Sequence, residues 1–121
     1  MKRGQLLIAG SLHGSDKKIG LTVSALCQKE ARWRTLSRCC KFEVHHHAVA
    51  TLSGELYVIG GKYCLCKPGA TPKVSNKVST YTVAQNKWKQ ISPMRESRIF
   101  HSAVTYQGAI YVVGGINAQN K

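Results

Sequence analysis

His47-Ala48-Val49-Ala50-Thr51-Leu52-Ser53-Gly54-Glu55-Leu56-Tyr57-Val58-Ile59-Gly60-Gly61 is answered, 54 residues later, by His101-Ser102-Ala103-Val104-Thr105-Tyr106-Gln107-Gly108-Ala109-Ile110-Tyr111-Val112-Val113-Gly114-Gly115. Histidine, turn glycine, tyrosine and paired glycines all keep that offset without a gap. Each copy reads as strand, tight turn, strand, with Gly54 in the turn. The apolar run Leu56-Tyr57-Val58-Ile59 is too continuous for a strand with one face in water and suits one covered on both. Gly60-Gly61 lets the backbone take positive φ and pass close to a neighbour where a Cβ would clash. A repeat of roughly 50 residues made of short strands cannot bury its faces alone and is stabilised by stacking on copies of itself.

The unit extends outward from this stretch. Val78-Ser79-Thr80-Tyr81-Thr82-Val83 alternates with period two, and Ala84-Gln85-Asn86-Lys87 forms a polar turn. Trp88 then opens a strand with Lys89, Gln90 and Ile91, which Ser92-Pro93 closes. One repeat earlier, Val23-Ser24-Ala25-Leu26-Cys27 and Trp33-Arg34-Thr35-Leu36 hold the same places, with Val23 to Trp33 and Val78 to Trp88 both spanning ten residues. Further back, Leu6-Leu7-Ile8-Ala9-Gly10-Ser11 matches 57–61 with a degraded second glycine. Strands are predicted at 5–10, 21–27, 32–37, 46–52, 55–60, 77–83, 87–92, 100–106 and 109–114. A weak helical spacing over 25–36 is overruled by its aligned copy, where Trp88 follows a Gln-Asn-Lys turn.

This pattern predicts an all-β propeller, whose rings carry ~4–8 four-stranded blades. The chain supplies an incomplete, divergent first blade over 1–44, a complete blade over 45–98 and the start of a third over 99–121. That amounts to about two four-stranded antiparallel blades, unclosed. Such an arc exposes its terminal blade faces, so the expectation is a fragment, a short isoform or a mispredicted product of a longer protein.

Eighteen Lys and Arg against five acids give a net charge of +13 in 121 residues. That balance favours acidic partners or non-specific contact with nucleic acid, but the basic residues are spread along the chain without forming a basic tail, and distributed surface charge on one slice of a larger protein is the reading taken. The five cysteines (Cys27, Cys39, Cys40, Cys64, Cys66) are an odd set without a secretory frame, which fits reduced thiols. The apolar stretch 6–9 falls short of the ~7–15 residues of a signal-peptide core, and nothing approaches the ~20 apolar residues of a membrane helix. The expected location is cytoplasmic, with no membrane partner.

Histidine, Ala-Val, a glycine turn, Leu-Tyr-Val-Ile-Gly-Gly, then Tyr81, Trp88 and Pro93-Met94-Arg95 resemble the kelch repeat. The positions that carry the resemblance are Gly10, Gly60, Gly61, Gly114, Gly115, Tyr57, Tyr111, Tyr81, Trp33 and Trp88. Departures lie in the first copy: Ala9-Gly10-Ser11 lacks the glycine pair, Leu26 stands where tyrosine is expected, and Arg38-Cys39-Cys40 replaces Pro-Met-Arg. The start on a second strand is similar to the opening of the propeller in BTB–BACK–kelch proteins, where the missing innermost strand comes from the far end of the chain. The resemblance implies a non-enzymatic protein-interaction module like the substrate-recognition domain of cullin-RING ubiquitin ligase adaptors. Cullin contact would then belong to a BTB region absent from this sequence. Some kelch proteins instead bind actin, and a third class are copper oxidases, whose ligands come from many blades.

The same resemblance places partners on one rim, on the loops 62–77, 38–45 and 94–99. Arginine forks pair with carboxylates in two parallel hydrogen bonds, so Arg95 and Arg98 are the first contact candidates, followed by Arg38, Lys41 and Tyr63. The competing reading is that these are solvated loop charges worth little. The loop 62–73, with Lys62, Lys67 and Lys73 and then Lys77, reads either as a basic finger for an acidic peptide or degron, or as a mobile insertion whose length costs little closure entropy; the second reading is taken here. His45-His46-His47 with Cys39-Cys40 and Cys64-Leu65-Cys66 lacks zinc-ligand spacing, so no metal is expected. Neither is any cofactor or catalytic residue: Asp16, Glu30, Glu43, Glu55 and Glu96 form no acid–base pair, and no nucleophile motif is present. Nucleic acid is disfavoured because Tyr63 alone offers an aromatic platform among the basic residues of that loop.

Overall fold

The computed structural model describes residues 7–13, 18–27, 29–39, 42–65 and 67–121. Every regular element among them is a strand. One sheet runs β1 (Leu7–His13), β2 (Lys18–Cys27), β3 (Arg32–Cys39). A four-stranded sheet is formed by β5 (Ala48–Leu52), β6 (Glu55–Ile59), β9 (Val78–Thr82) and β10 (Lys87–Ile91), in the order β10-β9-β6-β5. β11 (Ser102–Tyr106) and β12 (Ala109–Val113) make a two-stranded sheet. All pairings are antiparallel. The three sheets stack as consecutive blades of an unclosed arc, the all-β propeller architecture expected from the repeat.

The repeat is kept down to single residues. β5 pairs with β6 from Ala48↔Ile59 to Leu52↔Glu55, and β11 pairs with β12 from Ser102↔Val113 to Tyr106↔Ala109. Both hairpins turn on two residues of positive φ, Ser53 (51°) with Gly54 (78°) and Gln107 (47°) with Gly108 (77°). Two consecutive left-handed residues match the right-handed twist of the flanking strands, as primed hairpin turns require. Further out, Leu26 pairs with Trp33 as Tyr81 pairs with Trp88, and Ala31 (φ 51°) occupies the turn position of Asn86 (φ 50°). Between Val23 and Ser24 the first sheet carries a bulge that the second lacks.

Three differences from the sequence expectation have physical causes. The strands predicted at 46–52 and 100–106 begin only at Ala48 and Ser102, because His46 (φ 55°) and Phe100 (φ 57°) swing the chain through left-handed conformations on entry. The segment 62–77 is also not a free loop. It folds back as a hairpin of β7 (Lys62–Leu65) and β8 (Lys73–Val74), and β7 pairs in turn with β4 (Phe42–His45), inside the stretch 38–45 read as a connection. Backbone pairing on both sides of β7 ties this segment to the rim where a free insertion is expected.

The sheets are joined by apolar packing and by polar staples. Val23, Leu56 and Tyr81 form one cluster, with Ala9, Leu36, Val83 and Trp88 against it; Val44 and Val58 form a second with Ala9, Phe42 and Trp88. Burying side chains of this size stabilises by about 1.5–3 kcal/mol each. Trp88 Nε1–H donates across the first junction to Ser37 Oγ (3.1 Å), and Thr105 Oγ1 donates across the second to the Thr51 carbonyl (2.8 Å). The repeated histidines bridge the same junctions. His47 Nε2 lies 2.9 Å from the Ala9 carbonyl and His101 Nε2 lies 2.8 Å from the Ile59 carbonyl. A carbonyl only accepts, so each Nε2 carries the proton.

The paired glycines explain themselves at these joints. A Cβ on Gly61 would stand 2.7 Å from His47 Cβ and 2.8 Å from the His45 carbonyl; one on Gly115 would meet the equivalent atoms of His101 and Ile99. The second glycine of each pair therefore makes room for its own sheet's histidine. The first serves the next sheet: a Cβ on Gly60 would lie 2.9 Å from the Arg98 carbonyl and 3.0 Å from the His101 ring.

Candidate functional site

β4, β7 and β8 form a small rim sheet, in the order β4-β7-β8, with Phe42↔Leu65, Val44↔Tyr63 and Lys62↔Val74 in register. Alternation along β4 turns Phe42 and Val44 to one face. Val44 is buried, and Phe42 lies edge-on to Trp88 at 6.4 Å and stacks on Tyr63 at 4.9 Å. The rim sheet is thereby bolted to the blade core. Cys64 is buried, with Sγ 3.5 Å from the Leu65 carbonyl and 3.7 Å from that of Ala70. The turn beyond β7 is closed by Lys67 N–H to Leu65 O and Ala70 N–H to Lys67 O, with Gly69 at φ 79°.

Against this hairpin lies an open groove of about 550 Å³ lined by Tyr63, Leu65, Lys67, Lys73, Asn76 and Lys77 among others. Lys77 Nζ sits 5.2 Å from the centre of the Tyr63 ring. The floor is fixed by backbone bonds: Ser75 N–H donates to Gly61 O, Gly60 N–H to Lys77 O, and Asn76 Nδ2 to Met94 O. No carboxylate lines the groove among the described residues.

The residues expected to contact a partner occupy different settings. Tyr63 and the lysines of its hairpin stand together in the groove. Arg95 is exposed on the connection between sheets. Arg98, on the same connection, is half-buried and donates through Nη1 to the Gly114 carbonyl (2.7 Å), while its own carbonyl accepts from Gly61 N–H and its N–H donates to Ser75 O. It fastens three segments together, a role that a loop arginine in a sequence does not advertise. Arg38 pairs with Thr22 through the backbone near the end of β3, and Lys41 lies outside the described residues.

The repeat positions sit as follows. Gly10 pairs with Thr22 in β1. Tyr81 is buried and donates to Asn86 Oδ1 (2.7 Å), closing its own turn. Tyr57 is half-buried with its hydroxyl on Glu55, whereas Trp33 and Tyr111 are about half exposed, at 47% and 51%. Phe42 is not singled out by the sequence, and Lys77 only as one lysine of the basic-finger reading. The alternation of Phe42 and Val44 with Glu43 and His45 is the signal that marks β4 as a strand.

Four histidines lie where the chain enters the second and third sheets. His45 Nδ1 and His46 Nδ1 approach to 2.9 Å, and His46 lies edge-on to Phe100 at 4.8 Å. His47 Nδ1 and His101 Nδ1 are buried without partners. Burial holds the His47 imidazole below its ordinary value of 6.5; the Ala9 carbonyl opposes that shift, and His101 and His46 add to it. Among the described residues no three His, Cys, Asp or Glu side chains converge in a metal-binding arrangement. No helix among them is long and apolar enough to cross a membrane.

No protein-family model matches the chain. Among curated proteins it is similar to Kelch repeat and BTB domain-containing protein 12 of Danio rerio, 36% identical over 76 residues covering 61% of this chain and 12% of that protein. It is 30% identical to Kelch-like protein 41a of the same organism over 95 residues, 78% of this chain and 15% of the relative. Beta-scruin of Limulus polyphemus is 36% identical over 75 residues, 59% of this chain and 8% of that one. The chain thus spans a small part, 8–15%, of the length of these relatives. Among solved structures YjhT, a kelch-type propeller, superposes with a TM-score of 0.74 over 98% of this chain and 33% of its own, at 22% identity, a likeness of fold. Repeat, blade stacking and relatives converge on one identification: the chain is made of kelch repeats folded as an arc of a β-propeller.

Proposed function

We propose that this chain is a non-enzymatic protein-binding module of a cytoplasmic protein, which docks its partner on the rim built by β4, β7 and β8, in the manner of the substrate-reading domain of a ubiquitin ligase adaptor. The observation that carries this reading is the rim sheet itself. A loop that could have been a floppy insertion is paired on both sides of β7 and anchored through Phe42, so its side chains are presented on a rigid support. Rigid presentation lowers the ordering cost of recognition. Any ligase contact would lie in parts of a longer protein, as the name of the BTB-containing relative suggests.

Peptide display against the 121-residue chain tests the reading. A family of selected peptides that compete with one another for one saturable site is the expected result. Selection of no peptide, together with saturable co-sedimentation on actin filaments, would replace it with a cytoskeletal role.

A further inference from the structure

We propose that the groove beside the β7–β8 hairpin is a binding site for an extended, carboxylate-rich peptide segment, with Lys67, Lys73 and Lys77 as its charge readers and Tyr63 as its apolar wall; the proposal rests on the protein-binding reading above. Three observations carry it. The groove collects three lysines, and no carboxylate among the described residues lines it. Like charges held together without counterions create a local positive potential that attracts an acidic segment and speeds its encounter. The lysines also stand on a built support. β7 is held between β4 and β8, Phe42 stacks under Tyr63, and buried Cys64 pins the turn through the Ala70 carbonyl.

The volume of about 550 Å³ lies within the ~300–1,000 Å³ of ligand sites, and its open form suits a chain laid along it. Lysine heads are flexible point charges, unlike the planar fork of arginine. They accept Asp or Glu at several registers, which fits a run of acids more than one fixed carboxylate.

The same geometry argues against a nucleic acid. Single-stranded nucleic acids need open aromatic faces on which bases stack. Tyr63 is already stacked on Phe42 and carries the Lys77 ammonium near its ring. Arg98 does not line the groove, and its Nη1 donates to the Gly114 carbonyl.

The test uses fluorescence anisotropy with the whole chain and three probes: a labelled Glu-rich 12-residue peptide, its Gln analogue, and single-stranded RNA of matched charge. Two triple variants are compared, Lys67→Glu/Lys73→Glu/Lys77→Glu in the groove and Lys87→Glu/Lys89→Glu/Lys121→Glu outside it. All six lysines are exposed, and the two variants change net charge equally. The groove variant should lose about tenfold or more in affinity for the Glu peptide, and the control variant less than about threefold. A milder Lys→Gln groove triple, checked by circular dichroism, replaces the charge reversal should that fail to fold. Equal losses in the two variants, equal binding of the Gln peptide, or tighter binding of RNA would each overturn the assignment. If display-selected peptides still bind the groove variant within about twofold, the groove is wrong and the interaction module stands; if display selects nothing, the module itself fails.

Discussion

Ile59 and Val113 occupy the same place in two copies of one unit, yet Ile59 is 2% exposed and Val113 is 63% exposed. Between their sheets the local code is unchanged: the strand registers coincide and the turn dihedrals agree within a few degrees. What differs is the neighbour. The face of β5–β6 that carries Ile59 is covered by the β11–β12 sheet, whose His101 reaches the Ile59 carbonyl, whereas Val104, Tyr106, Tyr111 and Val113 present the equivalent face to solvent. Local sequence thus dictates the hairpin, and stacking alone dictates which hairpin has a core.

The sharpest way to break that comparison is truncation. Ile59→Ala should cost about 2–5 kcal/mol in a urea titration, the range for emptying a packed core site. Val113→Ala should stay within about 0.5 kcal/mol because its side chain already faces water. Similar costs at both sites would mean that the second hairpin contributes as much packing as the first.

A glycine pair separates conformation from crowding. Gly60 and Gly114 both have positive φ, 64° and 79°, so alanine at either costs about 1–2 kcal/mol of left-handed strain. A Cβ on Gly60 would also strike the Arg98 carbonyl, while around Gly114 there is nothing within 4 Å. Gly60→Ala should therefore be the more destabilising of the two, and the difference between the melting curves measures the joint with the next sheet.

Acid probes the histidine staple. His47 is partly buried and its pKa is held below 6.5 by desolvation, so as pH falls through about 6.5 the unfolded chain takes up a proton that the native chain refuses. Stability should drop progressively from there until the lowered native value is passed. His47→Gln, which keeps an N–H for the Ala9 carbonyl, should flatten that slope when denaturation midpoints at pH 7.5 and 5 are compared.

The smallest effect belongs to the turns. Ser53→Asn and Gln107→Asn should each stabilise by no more than about 0.5 kcal/mol, since asparagine tolerates the left-handed region that both residues occupy. Equal gains in the two turns are expected, because their conformations are the same whatever covers the strands.

Much of this was legible from residues. The 54-residue echo, the turn glycines and the Trp spacing led to the right hairpins and to Leu26 as the counterpart of Tyr81, because each of those signals is local and repeated. The rim sheet was not. Lys62-Tyr63-Cys64-Leu65 is followed by Pro68, Gly69 and Pro72, which read as a loop, and β8 is only two residues long. Its partner β4 lies some twenty residues earlier, and the equivalent connection of the next copy carries only the single bridge Ile99↔Ile116, so comparing the copies does not announce a strand there. Arg98 illustrates the same limit: its identity suggests a ligand fork, and the bond from its Nη1 to the Gly114 carbonyl is a contact that no local pattern shows.

The rim sheet has one more consequence. β4 arrives from the first large sheet, while β7 and β8 leave from the second, so the strap crosses the seam between two blades. Occupying the hairpin should then tighten the seam as well as fill the groove. A ligand that ignores the unfolded chain adds about 2.7 kcal/mol at a hundred times its dissociation constant, so recognition at the edge of this arc would be read out as resistance to heat.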